Sequence, residues 1–366
     1  MNREITLRQV TFLYLFISVS TILRQVPQSL AREAGRSGYL SPIWSMAATA
    51  LLTGIILLFI KYFPGLNIYD IMVRLVGTVL AKILILAYLL WILVGAAAKV
   101  ISYTLTLEFT LMPRTRSDFF MTIMLMLVFY ALLKGIKTIF RFSELTLGSI
   151  LIFFTILFLC AASRLRREYL LPVSVVQMKN TIYAARHVAV VGGNIIIVMF
   201  FADKFGSSVT KKQLHKLWFG IAVFTALAAV ITLFTFGISG TALTASLPFP
   251  FYITVKSISF FHIFERFEVL ITLICILSDF AAISIFVILL FRCLTWFFHL
   301  ENGESLYIPL AVIIFYLTYF ISSTQFEFDY FYQVFLVNLN LIFEYVIPAF
   351  LALICLGRRK KILKQY

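Results

Sequence analysis

Long apolar runs recur from one end of the chain to the other, and they constrain its fold more than any other feature. A helix needs about 20 mainly apolar residues to cross the roughly 30 Å hydrocarbon layer of a bilayer. We predict ten transmembrane helices, and therefore an all-α integral membrane protein. The predicted spans are Gln9–Leu30, Ser41–Ile60, Leu80–Leu107, Phe119–Leu133, Leu145–Ser163, Ala184–Phe201, Leu217–Gly237, Phe264–Phe291, Ser305–Ser323 and Phe331–Leu356.

The composition excludes a soluble globular protein. Hydrophobic residues make up 62% of the chain and charged residues 13%, whereas soluble domains have about 45–50% and 25%. The net charge of +15 is explained by basic loops at the cytoplasmic face and by contact with anionic membrane lipid. Nucleic-acid binding is not expected, because outside the apolar runs the sequence has no basic stripe with interleaved aromatic residues.

The distribution of Lys and Arg orients the chain. Alternate loops favour a cytoplasmic N-terminus, and the tail at 357–366 holds five basic residues between Arg358 and Lys364. An even number of spans puts both termini on the same side, so we expect both to be cytoplasmic. We treat residues 1–366 as a single membrane domain, because no hydrophilic segment is long enough for an ATPase or a kinase.

Ten spans divide into two sets of five, approximately 1–170 and 171–356, and an odd repeat length inverts the second copy across the membrane. Inverted repeats of this kind build many transporters, in which the substrate binds between interrupted helices near the midplane. Spans one and six are both interrupted, the first before Pro27 and the sixth by two adjacent glycines. We therefore predict a 5+5 inverted repeat with broken helices 1 and 6.

Broken helices expose backbone groups that lipid cannot satisfy, so the breaks must face protein or a cavity. Their free helix ends suit an anionic group such as the carboxylate of an amino acid. Glycines also allow membrane helices to pack closely, so packing alone remains an alternative explanation. The predicted ligand-binding residues are Ser20, Thr21, Arg24, Val191, Gly192, Gly193 and Asn194.

Charged residues within spans suggest further roles. Arg24 either binds a ligand carboxylate or extends to the outer interface. Asp279 lies deep in span eight, where it serves ion or proton coupling, gating or a structural pair. Glu268 is a second candidate for gating. Glu265 and Arg266 form either a partner contact or a charged helix start.

The sequence contains no recognisable catalytic or metal-binding motif. Its four cysteines show no C-x-x-C spacing, and its four histidines show no ligand spacing such as i, i+4. We find no G-x-S-x-G, P-loop or H-E-x-x-H motif. We therefore predict that the protein is not an enzyme and uses no metal or cofactor.

Several segments resemble the spore germinant receptor B-subunit family. The resemblance lies in Leu247–Tyr252 and Val255–Ser259, in Phe264–Glu268, and at the start of the chain in Ile5–Gln9 and Ser29–Gly35. It implies a LeuT-like fold of the amino acid/polyamine/organocation transporter superfamily. It also implies a location in the spore inner membrane, germinant receptor A and C subunits as partners, and a response to amino acids or other nutrients.

The chain departs from that family at both breaks. Ser20, Thr21 and Ile22 stand where members often have a G-x-G element, and Asn194 stands where some have an acidic residue. We expect a nutrient-sensing subunit that binds a small ligand, with an amino acid as the expected class, and signals to partner subunits. The alternatives are a proton- or sodium-coupled amino acid permease and a structural subunit without a ligand of its own.

Overall fold

The computed structural model describes residues 5–171, 178–205, 211–258, 267–299 and 306–358. Helices make up nearly all of these residues, which contain no β-strand. The helices are α1 (Leu7–Arg24), α2 (Val26–Ala34), α3 (Ser41–Tyr62), α4 (Ile68–Val76), α5 (Thr78–Thr110), α6 (Ser117–Leu133), α7 (Ile136–Ala161), α8 (Arg167–Leu170), α9 (Met178–Gly193), α10 (Ile197–Phe200), α11 (Lys211–Ser239), α12 (Thr241–Ser246), α13 (Pro250–Lys256), α14 (Phe267–Phe298), α15 (Tyr307–Ile321) and α16 (Gln325–Gly357).

Side-chain caps fix where several of these helices begin. Thr6 and Gln9 form a capping box at the start of α1, and Thr324 and Glu327 form another at the start of α16. In each box the two side chains satisfy backbone N–H groups that have no partner within the helix. The starts of these two helices are therefore specified by local sequence.

Seven helical segments within the described residues are long and apolar enough to cross a membrane, and two shorter apolar helices, α6 and α15, accompany them. This establishes an integral membrane protein. All ten predicted spans overlap a helix, with α1 and α2 together covering the first. The count of ten membrane crossings and the inverted repeat remain predictions.

Two helical segments form the centre of the bundle. In the most apolar windows of Met178–Phe200 and Phe267–Phe298, 78% of the residues are buried within the protein, against 33% for Thr78–Thr110 and 28% for Gln325–Gly357. The helices α5 and α16 thus leave one side for lipid and turn the other toward the centre. Any charged residue on their inner sides faces protein rather than lipid.

Candidate functional site

The predicted break in span one is a kink one residue long. Helix α1 ends at Arg24 and α2 begins at Val26, with Gln25 between them. The Gln25 N–H still donates to the Thr21 carbonyl at 3.0 Å, whereas Pro27 has no N–H to donate. The chain bends here without unwinding, so few backbone groups are freed.

The break in span six is similarly tight. Helix α9 ends at Gly193, a single 3₁₀ turn covers Asn194–Ile196, and α10 follows. The Asn194 side-chain amide donates to the Val191 carbonyl at 3.1 Å, and that carbonyl also accepts a 3.4 Å hydrogen bond from Ser18 of α1. The two interrupted segments therefore lie directly against each other.

A small cavity of about 50 Å³ lies beside these interruptions, between α1, α5, α9, α14 and α16. Its wall is largely apolar and aromatic, with a small number of polar groups, as in many small-molecule sites. The polar lining on α1 and α5 comprises Thr21, Gln25, Lys99 and Ser102. The polar lining elsewhere comprises Asn194, Tyr332, Asn340 and Glu344.

Lys99 places an ammonium group in the cavity wall. Its Nζ donates to the Thr21 hydroxyl at 2.5 Å, so α5 is tied to α1 just before the kink. A lysine within a membrane span is costly and usually marks a pathway or a binding site. A hydroxyl oxygen is only a partial partner for this charge.

Arg24 and Asp279 form a buried ion pair, with Nη2 to Oδ1 at 2.8 Å and side-chain exposures of 3% and 0%. Arg24 also donates to the Ser102 carbonyl at 3.1 Å and to the Thr106 hydroxyl at 2.6 Å. These bonds satisfy most of the guanidinium. Because the pair cancels its own charge, Lys99 is left as an uncompensated cation among the described residues nearby.

Glu344 also lines the cavity, on α16, and is 1% exposed. It belongs to a π-helical turn, Ile342–Val346, a distortion that is frequent at functional sites. Its Oε2 atom has no hydrogen-bond partner among the described residues. A side chain on Gly193 would collide with the Glu344 carboxyl group, so the glycine is what allows the carboxyl to sit at the end of α9.

The structure thus brings together three of the predicted ligand-binding residues, Thr21, Val191 and Asn194, in the cavity lining. The other four occupy neighbouring positions. The Ser20 N–H donates to the Ser278 hydroxyl at 3.2 Å, and a side chain on Gly192 would meet Thr49 of α3 at 2.6 Å. Arg24 holds Asp279, and Gly193 packs against Glu344.

Of the remaining predicted residues, Glu268 does not line the cavity. Glu268 is buried in the first turn of α14, eleven residues before Asp279. Glu265 and Arg266 lie outside the described residues. A gating role for Glu268 and a partner contact at the other two remain predictions.

Sequence reasoning missed Lys99 and did not place Glu344 among the site residues. Both are ionisable residues inside apolar spans, which is a signal for function in itself. Trp91 and Asn340, whose side chains are joined by a 2.8 Å hydrogen bond across the cavity wall, carry no comparable signal. Their role depends on how α5 and α16 pack.

One comparison with known proteins is informative. A family model described as spore germination protein (Spore_permease) matches residues 4–326, which covers every helix from α1 to α15. Tyr332, Asn340 and Glu344 of α16 lie beyond the matched residues. A search of curated proteins finds no match.

Proposed function

The chain belongs to the spore germination protein family, and from that premise we propose that it is the ligand-sensing membrane subunit of a germinant receptor. In this proposal a small nutrient, an amino acid by class, binds in the cavity between the two interrupted helices. Germinant receptor A and C subunits then receive the signal in the spore inner membrane.

The observation that carries the proposal is Lys99 in the cavity wall. An ammonium group held only by a hydroxyl would gain a charge-assisted hydrogen bond from a ligand carboxylate, which is about twice as strong as a neutral one. Thr21 and Asn194, beside the two interruptions, would be in reach of the same ligand.

Signalling requires that the ligand favour one arrangement of the helices over another. A ligand in this cavity would touch the interrupted segments, α1 and α9, as well as α5 and α16. It can therefore bias how the two interrupted segments sit against the rest of the bundle. A hundredfold preference for one arrangement is worth about 2.7 kcal/mol.

Dipicolinate release from spores tests this function. Spores carrying Lys99→Met should lose the response to the amino acid that triggers wild-type spores, and Lys99→Arg should retain part of it. Lys82→Met, on the same helix but outside the cavity lining, is the matched control. A full response by the Lys99→Met spores to every nutrient in the panel would overturn the proposal.

A coupled amino acid permease is the second candidate, and the buried Glu344 carboxyl favours it, because such a group can carry a proton within a membrane. Uptake of labelled amino acids by the purified protein in liposomes distinguishes the two functions. A sensor binds the amino acid without accumulating it, whereas a permease accumulates it in response to a proton or sodium gradient.

A further inference from the structure

We propose that Glu344 binds the ammonium group of the ligand while Lys99 binds its carboxylate, so that the cavity recognises both charged ends of an α-amino acid. This assignment rests on the proposed function, which it deepens by naming the two groups that select the ligand class. It does not follow from the family match, because Glu344 lies beyond residue 326.

The charges of the wall are complementary to such a ligand. Of the described residues that line the cavity, Lys99 and Glu344 are the two with charged side chains. Each lacks an opposite charge of its own: Arg24 already holds Asp279, and Glu344 Oε2 has no hydrogen-bond partner among the described residues. Burying a charge without a counter-charge is costly, and a ligand with both charges would supply a partner for Lys99 and for Glu344 at once.

The direction of the helices shows that these two groups are displaced in opposite senses along the bundle. Ser18 contacts Val191 at 3.4 Å, and Glu33, further along the chain after α1, contacts His187, earlier on α9, at 2.9 Å. The α1–α2 segment and α9 therefore run antiparallel. Moving from Ser18 to Thr21 and from Val191 to Gly193 leads in opposite directions along the bundle.

The two charged groups are attached at different levels of the bundle. Thr21, three residues beyond Ser18 on α1, holds the Lys99 ammonium. Gly193, two residues beyond Val191 on α9, abuts the Glu344 carboxyl. Because the two segments run in opposite directions, these groups are displaced from each other along the bundle, as the two charged ends of one ligand require.

A ligand with one charge would fit less well. A simple carboxylic acid would leave Glu344 unpaired, and a simple amine would leave Lys99 unpaired. When one partner of a buried polar pair is missing, the remaining group keeps the full free-energy cost of its desolvation. The cavity should therefore discriminate strongly between an amino acid and its analogues that lack either group.

Binding to the purified full-length protein in detergent tests the assignment. The probes are the twenty common L-amino acids, followed by the deaminated acid and the decarboxylated amine of the tightest binder. Wild type should bind the amino acid at least about tenfold more tightly than either analogue. Glu344→Gln should weaken binding of the amino acid by about tenfold or more and change that of the deaminated acid by less than about twofold, whereas Lys99→Met should weaken both.

The outcomes separate this inference from the proposed function. If wild type binds an amino acid and Glu344→Gln binds it equally well, Glu344 does not hold the ammonium and this inference alone fails. If Glu344→Gln binds normally and loses only proton-coupled uptake, Glu344 is a proton carrier, and the inference again fails. If wild type binds no amino acid, both this inference and the proposed ligand class fail. Glu344→Asp, which keeps the charge, should recover part of the affinity and so distinguishes lost recognition from misfolding.

Discussion

Asp279 accepts a 2.8 Å hydrogen bond from Arg24 in the middle of the helix bundle, and the two residues are separated by 255 positions in the chain. The pair joins α14 to the last turn of α1, directly before the kink at Gln25. The two buried charges thereby neutralise each other. Among the described residues that line the cavity, Lys99 is the one cation.

Breaking this pair from one side should destabilise the protein. Asp279→Asn leaves the Arg24 guanidinium buried without its counter-charge, and losing one partner of a buried pair costs about 3–5 kcal/mol. The double variant Arg24→Met, Asp279→Leu should be clearly more stable than the single variant, because it leaves no uncompensated charge. Thermal unfolding in detergent measures both, and equal stability of the single variant and wild type would contradict the structural role of the pair.

Adding a methyl group at Gly193 should impair ligand binding. A Cβ atom there collides with the carboxyl group of Glu344, so Gly193→Ala must displace that group from the cavity wall. We expect the germination response to fall at least about tenfold with the protein still inserted in the membrane. Dipicolinate release measures the germination response, and immunoblotting of spore membranes measures how much protein is inserted.

Two other glycines control for the Gly193 prediction. At Gly192 a Cβ would approach the Thr49 hydroxyl to 2.6 Å and the Phe224 ring to 3.1 Å, so Gly192→Ala should cost about 1–3 kcal/mol through overpacking. At Gly148 a Cβ meets nothing within 4 Å, so Gly148→Ala should leave stability and response unchanged. A normal response from Gly193→Ala spores would remove the argument that this glycine makes room for Glu344.

The sequence was sufficient for the helical membrane architecture because long apolar runs have few other solutions in a bilayer. It also located the interruptions near Pro27 and after Gly193. It could not show that Arg24 is held by Asp279, because that contact depends on the packing of α1 against α14. Lys99 and Glu344 were obscured for the same reason: which side of α5 or α16 faces the cavity follows from neighbouring helices that are distant in sequence.

A second ion pair lies near the C-terminal end of α14. Arg292 Nη2 lies 2.7 Å from both carboxylate oxygens of Asp203, and its guanidinium packs over the rings of Phe201 and Trp296. Asp70 in α4 is close enough for the charges of Arg292 and Asp203 to shift the pKa of its carboxyl group. Burial raises the pKa of Asp70, and the negative charge of Asp203 raises it further, while Arg292 lowers it.

Removing Arg292 should therefore destabilise the protein in a pH-dependent manner. In Arg292→Met, the carboxylates of Asp70 and Asp203 repel each other without the intervening cation, so the variant should unfold at a lower temperature than wild type near pH 7. Protonation at lower pH relieves the repulsion. Because the Asp70 pKa is already raised, the difference from wild type should shrink as the pH falls from 7 to 5, and thermal unfolding across that range measures it. A difference that stays constant or grows would contradict this account.

The residues after α7 offer a direct test of the predicted orientation. Cys160 is the exposed cysteine of the four, but it lies within the predicted fifth span, so it is first replaced by serine and a new cysteine is placed at the exposed Glu168. With a cytoplasmic N-terminus, the fifth of ten spans ends outside, so a membrane-impermeant maleimide should label the Cys160→Ser, Glu168→Cys variant in intact cells and should not label Cys160→Ser alone. The neighbouring arginines at 164, 166 and 167 would by themselves favour the cytoplasmic side, so local charge alone predicts the opposite result. Labelling that requires permeabilised cells would show that the predicted orientation, or the number of spans before this point, is wrong.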